Sequence, residues 1–143
     1  MTSDFTLAVH SLSLLAHFSG RLVSSDLLAE SANVHPVRMR KVLGMLKKHR
    51  LIRSKEGAGG GFLLACDPRQ VTLAQVYRMT CRGHLMPKCP DSNRRCMVGA
   101  HLKPVLGTIF SEAEDSLAEY LSRYSIADLL QQMEQERGKA SAW

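Results

Sequence analysis

Four glycines in five residues, Gly57-Ala58-Gly59-Gly60-Gly61, stand between two short apolar runs, Leu51-Ile52-Arg53-Ser54 and Phe62-Leu63-Leu64. Glycine at this density disfavours helix and permits the positive φ angles of tight turns. The flanking runs are strand-length and strand-like, so the segment reads as a β-hairpin closed by a flexible tip. A phosphate-cradling loop is the other use of clustered glycines, but it ends in Gly-Lys-Ser/Thr at a helix start. Here the glycines run into a strand, which argues against nucleotide binding.

What precedes the hairpin is helical. Phe5, Ala8, Val9, Leu12, Leu15 and Ala16 fall on one face of a helix over about residues 6–18. Gly20 ends it. Ser24 is a good N-cap for a short second helix that carries Leu27, Leu28 and Ala32 and closes at Asn33, with Asp26 in its first turn. Val34-His35 leads into Pro36, and proline suits the first helical position because its missing N–H costs nothing there. The third helix, about residues 36–49, buries Met39, Val42, Leu43 and Leu46. Gly44 at its middle costs about 1 kcal/mol against alanine, which predicts a close packing contact at that point. Two short helices on a tight connection, the second basic near its start, make a helix-turn-helix, and the hairpin behind them makes it winged.

Charge agrees with this. Between Ser31 and Lys55 lie eight basic residues and no acid: Arg38, Arg40, Lys41, Lys47, Lys48, Arg50, Arg53 and Lys55. A block of this kind suits a polyanion. Val37, Arg38, Arg40 and Lys41 are expected at base edges in the major groove. Lys47, Lys48, Arg53 and Lys55 are expected at phosphates, with Gly59 and Gly60 at the wing tip also against the duplex.

Asp67-Pro68 breaks the second strand, and Thr72 with Gln75 forms a capping box that opens a fourth helix to about Thr80. Gly83, Pro87, Pro90 and Asp91 mark a loop over residues 81–97. Leu102, Val105, Leu106, Ile109, Ala113, Leu117 and Leu121 then form one seam on a helix of about residues 101–123. The N-terminal helices are too few to cover so long a stripe, so it is expected to be a dimer seam. Glu112, Glu114 and Asp115 are expected on its solvated side. Ser125 and Asp128 cap a short last helix, with a frayed tail from Gly138. The expected fold is therefore mostly α with a small β-hairpin wing. Residues 1–80 form a winged helix-turn-helix, 81–97 a cysteine-containing loop, and 98–143 a dimerisation helix and a C-terminal helix.

The order and wording of these elements closely resemble the Rrf-two family of bacterial transcriptional regulators. The resemblance is carried by Asp26-Leu-Leu-Ala-Glu, Val34-His-Pro, Val42-Leu-Gly-Met-Leu, Leu51-Ile-Arg-Ser, Gly57-Ala-Gly-Gly-Gly-Phe-Leu-Leu and Val71-Thr-Leu-Ala-Gln-Val. It is strong over residues 5–80 and follows a general pattern over 97–130. It implies a homodimer whose long C-terminal helices cross, with two heads reading a near-palindromic operator on double-stranded DNA, and repression as the expected action. Two positions depart from the family: Glu56, where a basic residue often precedes the first wing glycine, and His35, where serine is the commoner cap.

The resemblance also draws attention to the loop, because several family members sense through cysteines there. Cys81 and Cys89 are separated by seven residues, and Cys89 and Cys96 by six. Family cluster ligands stand closer together, with a fourth ligand elsewhere; His101, His84 or a partner's His10 are candidates. One reading is an iron–sulfur cluster held by Cys81, Cys89 and Cys96 with His101. A second is a thiol switch, with Lys88, Arg94 and Arg95 lowering the thiol pKa values and no cofactor needed. Zinc through Cys and His is a third, and a non-sensing DNA-binding or protein-interaction module with incidental cysteines a fourth. Cys66 behind the wing is expected to be a small packed side chain.

Neither a secretory signal nor the roughly 18 apolar residues of a membrane span are seen, so a reducing cytoplasm without membrane contact is expected. No Ser-His-Asp or Cys-His setting and no paired carboxylates on one structured face suggest an enzyme.

Overall fold

A computed structural model describes residues 3–140 as six helices and one two-stranded antiparallel sheet. Helix α1 (Ser3–His17) buries Leu7, Ala8, Leu12 and Leu15. It starts three residues before the expected Thr6, with Asp4 in its first turn where the helix dipole favours an acid. Helix α2 (Ser25–Ala32) is capped by Ser24, whose Oγ accepts from the Leu27 N–H at 3.1 Å, and closes on Asn33 in the left-handed region. Helix α3 (Pro36–Lys48) buries the four expected residues and leaves its basic side outward. His35 does cap it, since Nδ1 accepts from the Val37 N–H at 3.1 Å.

The wing is strands β1 (Ile52–Lys55) and β2 (Gly61–Leu64), paired from Ile52↔Leu64 to Lys55↔Gly61. It is tied to the body by mutual backbone bonds between Val23 and Phe62 of 3.0 and 2.8 Å. That crossing explains Gly61: a Cβ there would stand 2.7 Å from the Val23 carbonyl oxygen. Gly44 corrects the sequence reading. A Cβ at Gly44 would meet nothing within 4 Å, so the residue faces open space and not a packed neighbour.

Helix α4 (Leu73–Thr80) carries the predicted Thr72/Gln75 capping box. Helix α5 (Met97–Leu121) begins four residues before the expected start and passes through Pro104. Helix α6 (Ile126–Ala140) is capped by reciprocal bonds between Ser125 and Asp128 of 2.9 and 3.0 Å. It is not short, and it runs through Gly138 where a frayed tail was expected; residues 141–143 lie outside the described part. One core joins α1, α2, α3, the wing and the start of α6, through Leu12, Leu28, Met39, Leu43, Ile52 and Ile126. The α5–α6 turn is pinned to α4 by Leu73 N–H to the Tyr124 carbonyl and Ile126 N–H to the Val71 carbonyl, both 2.9 Å. Among the described residues no helix is long and apolar enough to cross a membrane.

Candidate nucleic-acid interface

The outward side of α3 and the wing face one another across an open cleft of about 430 Å³. Arg40, Gly44 and Lys47 line it from α3, Lys55 and Glu56 from the wing, and Ser24 and Ser25 from the start of α2. Gly44 lies between Arg40 and Lys47 on this side of α3, and its bare backbone is open to the cleft. Val37 is 59% exposed at the tip of α3, and Arg40, Lys41, Lys47, Lys48, Arg53 and Lys55 all reach solvent. Gly59 is exposed and Gly60 half-buried, and a Cβ on Gly60 would stand 2.1 Å from the Lys55 carbonyl oxygen. Cations from two elements around one concave surface can hold a phosphate backbone while α3 enters a groove.

Arg38 differs from its neighbours. Its guanidinium turns back to the first turn of α1, where it donates to Ser3 Oγ and lies 3.7 Å from Asp4 Oδ1. Within the basic block, and among the described residues, it is the one side chain in an ion pair. The sequence reading missed this acid because the contact spans more than thirty positions; only its place in a first helical turn marks it.

The expected solvated acids also need correction. Glu112 and Asp115 are exposed, but Glu114 is half-buried and binds two donors. Its Oε1 accepts from the Tyr77 hydroxyl at 3.0 Å and from the Gly83 N–H at 2.6 Å, joining α4, the loop and α5. Tyr77 is buried, and burial first, then the bond to Glu114, pushes its pKa up to about 12. The Phe5 ring meets Tyr77 edge-on at 6.4 Å.

The loop cysteines do not converge. Cys81 is fully buried at the end of α4, with Sγ 3.4 Å from Thr80 Oγ1. Cys89 is half-buried in a separate apolar cleft of about 360 Å³ against Pro87, Lys103 and Pro104. Cys96 is exposed at the N-cap of α5. His101 Nδ1 lies 2.8 Å from the Met97 carbonyl oxygen, and His10 Nε2 lies 2.8 Å from Ser31 Oγ. Among the described residues no three His, Cys, Asp or Glu side chains gather closely enough to hold a metal. The donor set of one chain, with one thiol buried, one in a cleft and one in solvent, does not fit a cluster.

The Cys96 thiol is held below its ordinary pKa by the backbone amides of Gly99 and then Val98, which favour thiolate at the helix start. The cause is thus the start of α5 and not Arg94 or Arg95. Cys66 is half-buried, and burial, with Asp67 beside it, pushes its thiol up, in keeping with a packing role.

Known proteins share this architecture. Residues 1–132 match the Rrf2 (Rrf-two) family, described as iron-dependent transcriptional regulators. The HTH-type protein YwnA of Bacillus subtilis (strain 168) is 28% identical over 131 residues, covering 91% of this chain and 96% of YwnA. The HTH-type transcriptional regulator NsrR of the same organism is 27% identical over 134 residues, covering 92% and 89%. A crystal structure of a Lactobacillus plantarum protein superposes with a TM-score of 0.82 at 25% identity, covering 99% of each chain. With a winged helix-turn-helix, a cationic cleft and a family match over nearly its whole length, the chain belongs to the Rrf2 family of DNA-binding transcriptional regulators.

Proposed function

We propose that the protein acts in the cytoplasm as a homodimer on a near-palindromic operator and represses by occupying it. The observation that carries the reading is the single cleft into which both α3 and the wing turn their cations. Arg40 and Lys41 read base edges beside Val37, while Lys47, Lys48, Arg53 and Lys55 hold phosphates.

The dimer is supported by α5. In its 25 residues only Ala118 is buried, while Met97, Val98, Leu102, Val105 and Ile109 are each about half exposed or more. Leu106, Leu117 and Leu121 are half-buried and Ala113 is exposed, so among the described residues the seam is covered only in part. A second copy of α5 supplies the missing cover and sets the two heads about 34 Å apart, one helical turn of DNA. An exposed Cys96 favouring thiolate supports thiol control, whereas the scattered donors of one chain do not favour a cluster or zinc.

The test is binding to the promoter of the protein's own gene at several salt concentrations. With about 6–10 phosphate contacts, affinity should fall about 10³–10⁵-fold between about 50 and 200 mM salt. Binding that ignores salt would sink the proposal.

A further inference from the structure

We infer that Asp4 is a specificity-determining residue that competes with DNA for Arg38. The inference rests on the DNA-binding role of α3 and adds to it a control on one of its cations. Arg38 is the third residue of α3, at the end that enters the groove, yet its guanidinium is held by Ser3 and Asp4 of α1. The acid is not on a loose end. It lies in the first turn of α1, and the next residue, Phe5, packs edge-on against the buried Tyr77. Both partners keep enough exposure to exchange, with 46% of the Arg38 side chain and 40% of the Asp4 side chain accessible.

The chemistry of the exchange is unequal for different DNA partners. A DNA phosphate offers Arg38 the same kind of partner that Asp4 already is, an oxyanion, so little is gained by the exchange. A guanine offers two acceptors, O6 and N7, in the plane of the guanidinium. Asp4 therefore offsets phosphate binding by Arg38 more completely than it offsets guanine binding. Arg38 becomes a conditional contact, released where the base is right.

The test is a double-mutant cycle on the full chain, with D4N, R38A and both together, read by anisotropy on two short labelled duplexes, one of A·T pairs only and one guanine-rich. D4N should tighten binding to the A·T duplex about two- to fivefold, the range of an exposed ion pair, and to the guanine-rich duplex less, equal tightening on both being the result that overturns the specificity role. It should steepen the slope of log affinity against log salt by about 0.9, one further phosphate contact. In the R38A background D4N should change neither quantity. An equal gain in both backgrounds would mean that Asp4 repels DNA through space, and the clamp would be wrong. No gain in the wild-type background would overturn it too. These outcomes are distinct from failure of the DNA-binding role, in which the wild-type protein itself would not bind either duplex. Both positions are at the surface, and an unchanged melting temperature shows that each variant folds.

Discussion

Replacing Glu114 by alanine should destabilise the protein although the residue lies on a helix with one buried position. Glu114 Oε1 is the acceptor for the Tyr77 hydroxyl and the Gly83 N–H. Tyr77 is 1% exposed, so without the carboxylate its hydroxyl loses its acceptor in a buried position. An unsatisfied buried donor costs about 1–3 kcal/mol, and a charged acceptor puts the loss toward the upper end. For a chain of this size each kcal/mol lowers Tm by about 3–5 °C. Urea unfolding of wild type, E114A, Y77F and the double variant resolves the term. Y77F removes the donor, so E114A should cost much less in that background, with a coupling of about 1 kcal/mol or more. Additivity within about 0.5 kcal/mol would refute the reasoning, because the two groups would then act independently.

Tyr77 also makes a pH prediction. Its pKa is raised from the ordinary 10 to about 12, so the folded state keeps a proton that the unfolded state loses. Its stabilisation is therefore complete below pH 10 and fades as pH rises toward 12, and the wild-type advantage over Y77F in urea should shrink across that window. I109E should convert a dimer to a monomer in sedimentation velocity, since covering the exposed half of such a side chain contributes about 1 kcal/mol on each protomer; a monomeric wild type would refute the seam. Iodoacetamide should alkylate Cys96 well before the buried Cys81, with a rate midpoint below the ordinary thiol value, as peptide mass spectrometry can read. G44A should stabilise by about 1 kcal/mol in a melt, having room for its methyl, while G60A should destabilise by about 1–3 kcal/mol through its collision with the Lys55 carbonyl.

Local chemistry was legible and distant chemistry was not. The Ser24, Thr72 and Ser125/Asp128 caps, the Pro36 helix start and the glycine-closed wing all follow from residues within a few positions of one another. The start of α5 carries no sequence signal, because Cys96 at its N-cap has none of the usual capping oxygens. Gly44 is ambiguous in sequence because a glycine in a helix signals nearness of something without saying whether that is a packed neighbour or an outside surface. Glu114 reads in sequence as a solvated acid, and nothing in sequence marks Asp4 as a partner of Arg38. Their partners stand 37 and 34 positions away, and only the packing of α4 on α5 and of α1 on α3 brings them together.

The tip of the wing limits how this protein can change over generations. Gly60 and Gly61 are closed by the Lys55 and Val23 carbonyls, and Gly57 and Gly59 hold φ angles of 90° and 73° that side chains resist. Mutation can therefore explore the tip at little cost only through Lys55, Glu56 and Ala58, all exposed. A lineage that altered its DNA preference through the wing would have those three positions to work with. The acid at Glu56, unlike the basic residue common in the family, occupies one of them, so the wing's charge is set where inheritance is free to reset it.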